Sequence, residues 1–388
     1  MCPIPSVMTP SPEPTPGSVD PERIVRSFLR LAAIASPSRG EGALAAAVTA
    51  EFRELGWQVL DDRTGPETGN LIARRPGTDV REPLLLATHL DVVPPCRDVR
   101  PRLNDGWIES DGTTVLGADA KAGLTALLEV ARLVTASPPG SFGPAELVIT
   151  WGEEVGHLGA KALDRSLLRA RRGFVLDGLL PVGHIVVGAP GQDAFSVRIR
   201  GRAAHAGLEP EAGISAIEVA TQALTRLRWG RLDAETTANL GTMVGGSARN
   251  AVPEEARLEG ELRSLDAEKL RAQGQQVLAT FRSVAEQFGA TVDLELMPVY
   301  AGYRLPEASA VVELARQALA ALGGTATTTL TGGGSDANEF NAQGMECCVL
   351  GIGAERCHSV RERVAVSELV RLSDWVRSIL QLTGGSVL

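Results

Sequence analysis

A histidine and an aspartate two residues apart are the first side chains in this sequence whose types could do chemistry. His89 and Asp91 follow the largely apolar run 84–88. An imidazole whose second ring nitrogen is held by a nearby carboxylate is well suited to bind a metal ion. The spacing is a weak signal by itself, because a hydrogen-bonded structural histidine can have the same neighbours.

Further segments also place acidic or imidazole side chains after an apolar strand or a glycine turn. These side chains are Asp119 in 116–121, Glu153 and Glu154 after Trp151-Gly152, Asp177 after 174–176, and His358 after Cys357. Each has an ordinary alternative when taken alone. Asp119 could cap a helix, the two glutamates could lie in a solvated loop, and Asp177 could belong to a turn.

The joint occurrence of these residues favours a metal centre. The chain has only five histidines, and two of them follow or flank apolar segments that could reach one sheet edge, as do three carboxylate clusters. Histidine and carboxylate ligands without thiolates suit Zn²⁺ or a similar divalent ion. Their number is sufficient for two ions, which a shared carboxylate would hold about 3.5–4 Å apart.

The elements that must position these residues alternate between strands and helices. Apolar runs such as 84–88 and 174–176 are typical of strands buried on both faces. The predicted helices cover about 21–31, 44–55, 121–134, 213–227, 267–288 and 307–322, and the other predicted strands 58–60, 70–73, 147–151, 195–200, 242–244, 256–263 and 292–296. This alternation predicts a mostly parallel, doubly wound α/β sheet with its chemistry at the carboxyl ends of the strands.

The pattern changes near residue 189. The run 195–200 alternates with period two, which predicts a strand with one wet face. The order strand-helix-strand-strand-helix-strand that follows predicts a smaller α+β domain inserted into the larger one. We therefore predict a disordered proline-rich tail at 1–18, a larger domain formed by 19–188 and 301–388, and the insertion at 189–300.

Composition argues against several classes of function. The 47 acidic and 38 basic residues give a net charge of −9, which disfavours a nucleic-acid partner. No apolar run approaches the ~20 residues that cross a membrane, and the proline-rich start lacks the basic segment of a secretion signal. We therefore expect a cytoplasmic protein.

The cysteines and two of the histidines belong to no motif. The five cysteines include no Cys-x-x-Cys pair, so neither a disulfide framework nor a thiolate zinc site is indicated. Cys347 and Cys348 lie in an apolar run and are expected to be buried small hydrophobes. His157 and His184 are expected to be structural or exposed.

Five short motifs together resemble the di-zinc metallopeptidase superfamily that includes peptidase T, aminoacylase, succinyl-diaminopimelate desuccinylase and glutamate carboxypeptidase. They are Thr88-His89-Leu90-Asp91, Gly117-Ala118-Asp119, Gly152-Glu153-Glu154, Leu176-Asp177-Gly178 and Cys357-His358-Ser359. Their order agrees, and the resemblance covers nearly everything after the tail. The segment Gly332-Gly333-Gly334-Ser335-Asp336-Ala337-Asn338 is most similar to the peptidase T-like branch.

The resemblance implies two Zn²⁺ ions per subunit, with Co²⁺ or Mn²⁺ as alternatives. Asp119 would bridge the ions. His89 and Asp177 would complete the first site, and Glu154 with His358 would complete the second.

The resemblance also implies two catalytic carboxylates that do not bind the ions. Asp91 would orient His89. Glu153 would be the general base, which takes a proton from the metal-bound water and later gives it to the leaving amine.

In the insertion, the resemblance implies a lid that also forms a homodimer. His205 would reach the partner subunit's site and stabilise the oxyanion, although a surface histidine in a turn is the alternative. Asn250 and Arg263 would bind the substrate, and Arg263 could grip a carboxylate with two hydrogen bonds or be an ordinary exposed arginine. Gly333 would let backbone amides approach the substrate, or belong to a flexible connection.

The leading prediction is a cytoplasmic, homodimeric, two-zinc exopeptidase that hydrolyses an amide bond in small peptides. An N-acyl-amino-acid amidohydrolase is the alternative, since the ions perform the same chemistry on either amide and only the pocket discriminates. A catalytically silent binding protein would require a missing ligand or base, and the sequence contains all of them.

Overall fold

The computed structural model describes residues 18–75 and 81–384. The predicted proline-rich tail, apart from its last residue, lies outside the described residues. Within the described part of the chain, none of the helices combines the length and the apolar character needed to cross a lipid bilayer.

Helices and strands alternate along most of the chain. The helices are α1 Pro21–Ala32, α2 Gly42–Glu54, α3 Ala118–Ala136, α4 Leu158–Ala162, α5 Ala216–Thr225, α6 Ala267–Phe288, α7 Ala310–Ala320, α8 Asp336–Ala342 and α9 Val366–Leu382. The strands are β1 Gln58–Asp61, β2 Leu71–Arg74, β3 Leu84–His89, β4 Arg102–Asn104, β5 Trp107–Glu109, β6 Ala145–Thr150, β7 Arg172–Gly178, β8 His184–Ala189, β9 Gly191–Arg200, β10 Gly230–Arg231, β11 Thr236–Gly245, β12 Glu255–Ser264, β13 Thr291–Tyr300, β14 Tyr303–Arg304, β15 Thr327–Leu330, β16 Glu346–Gly351, β17 Ala354–Glu355 and β18 Arg363–Ala365.

The larger sheet has a parallel centre. Its strand order is β1-β2-β6-β3-β7-β16-β8-β14, and β15 pairs with β8. The four central strands β6, β3, β7 and β16 run parallel to one another, whereas the pairs at the edges are mostly antiparallel. The predicted α/β fold with a mostly parallel central sheet is therefore confirmed.

Both faces of this sheet are covered, because alternate residues of the central strands enter two different cores. Leu84 and Leu86 pack with helices α1, α2, α3, α7 and α9, while Leu85 and Ala87 pack with α4 and α8. Cys347 and Cys348 are fully buried on opposite faces, as the apolar run predicted. A strand that is covered on both sides needs no polar face, which explains why its sequence is continuously apolar.

The smaller sheet is antiparallel and lies between β8 and β14 in the chain. Its order is β10-β11-β12-β9-β13, and helices α5 and α6 pack on one face. On β9, Phe195, Val197 and Ile199 point into that helical core, while Ser196 and Arg198 are only half-buried. The period-two alternation in the sequence therefore marks a sheet with helices on one face only.

Local signals fix several helix ends. The side chain of Asp20 accepts a hydrogen bond from the Arg23 amide at 3.1 Å, with Pro21 as the first residue of α1. The alternative of Asp119 as a helix cap is wrong, since Gly117 is the N-cap of α3 and the carboxylate oxygens of Asp119 contact His89 and His358. The sequence did not predict the four-stranded sheet β17-β18-β5-β4, whose strands are only two or three residues long.

Candidate metal centre

His89 and Asp177 stand at the carboxyl ends of two adjacent parallel strands. His89 is the last residue of β3, and Asp177 is the penultimate residue of β7. The His89 Nε2 atom lies 3.3 Å from Asp177 Oδ1. The two side chains meet because parallel strands end at the same edge of the sheet.

Asp119 lies between two groups of possible ligands. Its Oδ1 atom is 3.3 Å from His89 Nε2, and its Oδ2 atom is 3.1 Å from His358 Nε2. The same nitrogen of His358 is 3.2 Å from Glu154 Oε1. Each oxygen of one carboxylate thus faces a different group, which is the arrangement that a carboxylate shared between two ions requires.

The atoms of this centre are close enough to hold metal ions. Among the described residues, two sets have possible ligand atoms within 4.8 Å of one another, and they are His89 with Glu153 and Asp177, and His89 with Asp119 and Glu154. The structure therefore brings together the five residues predicted as ligands, together with Glu153. The donor atoms are imidazole nitrogens and carboxylate oxygens, which suit Zn²⁺ and similar divalent ions.

The charges of the centre also fit divalent ions. Within the described residues, no lysine or arginine lies within ion-pair distance of Asp119, Glu153 or Asp177. Burial and the negative charge of Asp177 raise the pKa of Glu153 well above its usual value, and burial raises that of Asp177. Bound cations would remove the cost of burying these carboxylates together.

The surrounding carboxylates raise the pKa values of both histidines of the centre. Hydrogen bonds to Asp119 and then to Glu154 raise the pKa of His358 to about 10. Burial opposes protonation of His89, but the surrounding Asp177 and Asp119 outweigh it and raise its pKa. A metal ion must compete with protons for both imidazoles.

Asp91 connects the histidine to the loop that carries the two glutamates. Its two carboxylate oxygens accept hydrogen bonds from the amides of Glu153, at 2.9 Å, and Glu154, at 3.1 Å. Ser38 donates a further hydrogen bond at 2.7 Å. The Nδ1 atom of His89 lies 2.9 Å from the carbonyl oxygen of Asp91 and 3.4 Å from its carboxylate. Asp91 therefore positions three residues of the centre, whereas the sequence predicted only its contact with His89.

The glutamates lie in a tight turn and not in a solvated loop. Gly152, with φ 61°, leads into a 3₁₀ turn at Glu153–Val155. Its amide donates to Oε1 of the buried Glu41 at 3.0 Å. Glycine adopts this left-handed backbone without steric cost, which lets the chain turn sharply at the end of β6.

Glu362 is a structural partner of the centre that the sequence did not reveal. This residue is 1% exposed, and its carboxylate accepts hydrogen bonds from the amides of Gly117, at 2.7 Å, and Asp119, at 3.0 Å. Because Glu362 follows His358 by four residues, it ties the loop that carries this histidine to the segment that carries Asp119. A glutamate in a loop has no periodic signal that would mark it as buried.

Two predicted substrate residues line a cleft beside the centre. Arg263 and Gly333 border a cavity of about 280 Å³. Gln192 and Tyr300 also line it, as do the four acidic residues of the metal centre, Asp119, Glu153, Glu154 and Asp177. Both oxygens of Glu261 hold the guanidinium of Arg263, at 3.0 and 3.1 Å. The guanidinium that was expected to bind a substrate carboxylate is therefore already paired with Glu261 on the same strand.

The other two predicted residues of the insertion lie elsewhere. His205 and Asn250 are exposed, and neither lines the cleft. They are neighbours, since the Ala206 amide donates to the Asn250 carbonyl at 3.1 Å. The chain's own fold thus does not bring them to its own metal centre.

Comparison with known proteins identifies the family. Residues 85–382 match Peptidase family M20/M25/M40. The chain belongs to this family. It is 38% identical over 367 residues to YqjE of Bacillus subtilis, an uncharacterized protein, covering 94% of this chain and 99% of that one.

Two solved structures are similar to this chain over nearly its whole length. An aminopeptidase PepT from Bacillus cereus is 37% identical with a TM-score of 0.86, covering 94% of this chain and 99% of that one. A tripeptidase from Staphylococcus aureus is also 37% identical, with a TM-score of 0.90 and the same coverage. These similarities confirm the predicted peptidase T-like membership and the prediction of a metallopeptidase enzyme.

Proposed function

We propose that this M20 family member is a two-metal exopeptidase that cleaves an amide bond of short peptides. The observation that carries the proposal is the position of Asp119, whose two oxygens face His89 on one side and His358 with Glu154 on the other. The similarity to a tripeptidase and an aminopeptidase favours peptides over N-acylated amino acids as substrates. Zn²⁺ is the proposed metal, with Co²⁺ or Mn²⁺ as alternatives.

Glu153 is the proposed general base. When bound, two divalent ions lower the pKa of a water molecule toward neutrality and polarise the amide carbonyl. Among the described residues, a carboxylate oxygen of Glu153 lies within 4.8 Å of possible ligand atoms of His89 and Asp177, so Glu153 stands beside the proposed metal site, where it can accept a proton from water. The same carboxylate then gives that proton to the nitrogen of the leaving amine.

The test of this proposal combines metal analysis with kinetics. The chelated protein should lose tripeptide hydrolysis and regain it with Zn²⁺, Co²⁺ or Mn²⁺. A Glu153→Ala variant should keep two ions per chain, measured by plasma mass spectrometry, while kcat falls roughly 10²–10⁴-fold. Full turnover by Glu153→Ala, or by the chelated protein, would contradict the proposal. Faster release from acetyl- or succinyl-amino acids than from tripeptides would favour the amidohydrolase alternative.

We also propose that the enzyme is a homodimer in which His205 serves the partner subunit's cleft. His205 and Asn250 are exposed and do not line the cleft of their own chain. The edge strand β11 is exposed over its second half, where Val244 is 71% exposed. A second subunit that pairs with this edge would cover apolar surface, and it could place its own His205 at the cleft of the first subunit.

A further inference from the structure

His157 is buried although it belongs to none of the metal motifs. Its side chain is 5% exposed and lies among the residues that border the cleft. It follows the turn that carries Glu153, and its backbone has φ 57°, in the left-handed region. The amide of His157 donates to the carbonyl of Glu153 at 2.8 Å, so the two residues are held at a fixed separation.

The imidazole of His157 lies between two carboxylates. Its Nε2 atom is 3.4 Å from Glu153 Oε1, and its Nδ1 atom is 3.6 Å from Glu339 Oε1. Within the described ranges, no other basic side chain comes within ion-pair distance of the Glu153 carboxylate. The ring also packs on Tyr300, with the ring centroids 4.4 Å apart. His157 thus joins the proposed base to helix α8 and to the last residue of β13.

Several polar atoms around this histidine are buried and have no hydrogen-bond partner among the described residues. They are His157 Nδ1, Glu339 Oε1 and Asp336 Oδ1. Buried polar atoms without partners are rare, because each loses its hydrogen bonds to water. Lys161 lies 3.9 Å from the same oxygen of Glu339. A shift of less than 1 Å would convert the contact between His157 Nδ1 and Glu339 into a hydrogen bond.

We propose that His157 is a positioning residue for Glu153. One carboxylate oxygen of Glu153 lies 3.4 Å from a nitrogen of the imidazole, whose other nitrogen faces Glu339 at 3.6 Å and whose ring face packs on Tyr300. This inference rests on the proposed function, in which Glu153 moves the proton. Displacing a catalytic group by about 1 Å can cost about 10²-fold in rate, so such a restraint contributes to kcat.

Two substitutions distinguish the contribution of the His157 nitrogens from that of the ring packing. His157→Phe keeps an aromatic ring against Tyr300 but removes both nitrogens. His157→Gln places an amide nitrogen near the position of Nε2. Both variants meet the same left-handed backbone, so the backbone contributes similar strain to each. His184→Phe is the matched control, because His184 is half-buried at the start of β8 and does not line the cleft.

The experiment measures kcat and KM for a tripeptide, bound metal and melting temperature in the zinc-loaded enzyme. We expect His157→Phe to lower kcat about 10- to 100-fold with KM within about twofold and two ions still bound. His157→Gln should recover most of that loss, and His184→Phe should match the wild type. Glu339→Gln alters the carboxylate that faces Nδ1 of His157, and it should also lower kcat. This variant replaces His157→Phe as the test if His157→Phe does not fold.

The outcomes distinguish the inference from the function on which it rests. Wild-type kcat in His157→Phe, or in Glu339→Gln if that variant must replace it, would overturn the inference. Equal kcat losses in His157→Phe and His157→Gln would also overturn it, because the nitrogen would then be irrelevant. A wild-type protein that cleaves no peptide with any metal, or an active Glu153→Ala enzyme, would overturn the proposed function itself.

Discussion

Several carboxylates of this centre each contact two different groups. Asp119 offers one oxygen to each group of ligands, and Asp91 fixes both the first histidine and the turn with the two glutamates. Glu362 binds two amides of the segment that contains Asp119. Partners of this kind restrict the orientation of metal ligands, and their mutation typically weakens metal affinity about 10- to 100-fold.

Removing the carboxylate of Glu362 should therefore weaken both folding and metal binding. Glu362→Ala leaves two buried amide N–H groups unpaired, at about 1–3 kcal/mol each, and releases the Asp119 segment. We expect a lower melting temperature and about 10- to 100-fold weaker metal binding, measured by competition with a chromogenic chelator. Glu355→Ala, at an exposed ion pair with Arg363, should stay within about 0.5 kcal/mol of wild type. Unchanged metal affinity in Glu362→Ala would show that the Asp119 segment is held by other contacts.

Metal binding should depend on pH in a defined direction. Hydrogen bonds raise the pKa of His358 to about 10, and burial raises that of Asp177, so both groups hold protons near neutrality before a metal binds. Because ligands must lose these protons, affinity should rise with pH, and binding at neutral pH should release protons. Calorimetry in buffers with different ionisation enthalpies measures this release. Affinity that is constant from about pH 6 to 9 would contradict the prediction.

The secondary-structure elements form the centre because the carboxyl ends of two strands lie in close contact with one helix. Helix α3 carries Asp119 at its start and packs over β3 and β7, whose carboxyl ends carry His89 and Asp177. Gly123 permits this approach, since a Cβ atom there would lie 2.4 Å from the Leu176 carbonyl oxygen and 2.7 Å from Thr88 Oγ1. The distance between helix and strands thus depends on a missing side chain.

Gly123→Ala should force α3 away from the strand ends. We expect a destabilisation of about 1–3 kcal/mol from overpacking, measured by denaturant unfolding, and weaker metal binding because the ligands move apart. Gly241→Ala is the control, since a Cβ atom at Gly241 would have its nearest heavy atom at an ordinary 3.6 Å. Equal free energies of unfolding for the two variants would mean that α3 accommodates the added Cβ atom without loss of stability.

At the scale of the whole molecule, the insertion separates residues that the proposed reaction needs together. Arg263 and Tyr300 border the cleft from the smaller sheet, whereas His205 lies in an exposed loop outside it. If a partner subunit supplies this histidine, the two halves of each site belong to different chains. Activity would then require the assembly and not only the folded chain.

Mixing two inactive variants tests that arrangement. Glu153→Ala and His205→Ala should each have little activity alone, but a heterodimer combines an intact base with an intact partner histidine at one of its two sites. Random exchange of equal amounts should restore about a quarter of the sites. Glu153→Ala mixed with the double variant Glu153→Ala/His205→Ala should stay inactive, since neither chain has the base. No recovery on coexpression would contradict a shared site.

The sequence by itself determined the fold class, the family and the identity of the clustered acidic and imidazole residues. Apolar runs mark buried central strands, and each run is covalently joined to the polar residue at its end, so His89 and Asp177 could be predicted to meet. The period-two alternation of 195–200 likewise predicted a strand with one wet face. These signals are local, since they depend on neighbours along the chain.

Only the tertiary structure decided which other groups support the centre. Glu362 and His157 gain their partners from segments distant in the chain or from a left-handed turn, and neither kind of contact leaves a periodic pattern. The pairing of Arg263 with Glu261 depends on side-chain orientation, which residue types do not fix. The exposure of His205 likewise depends on the packing around its loop, which residue types do not fix. A local sequence pattern describes one element, whereas burial and pairing depend on all the elements that pack around a residue.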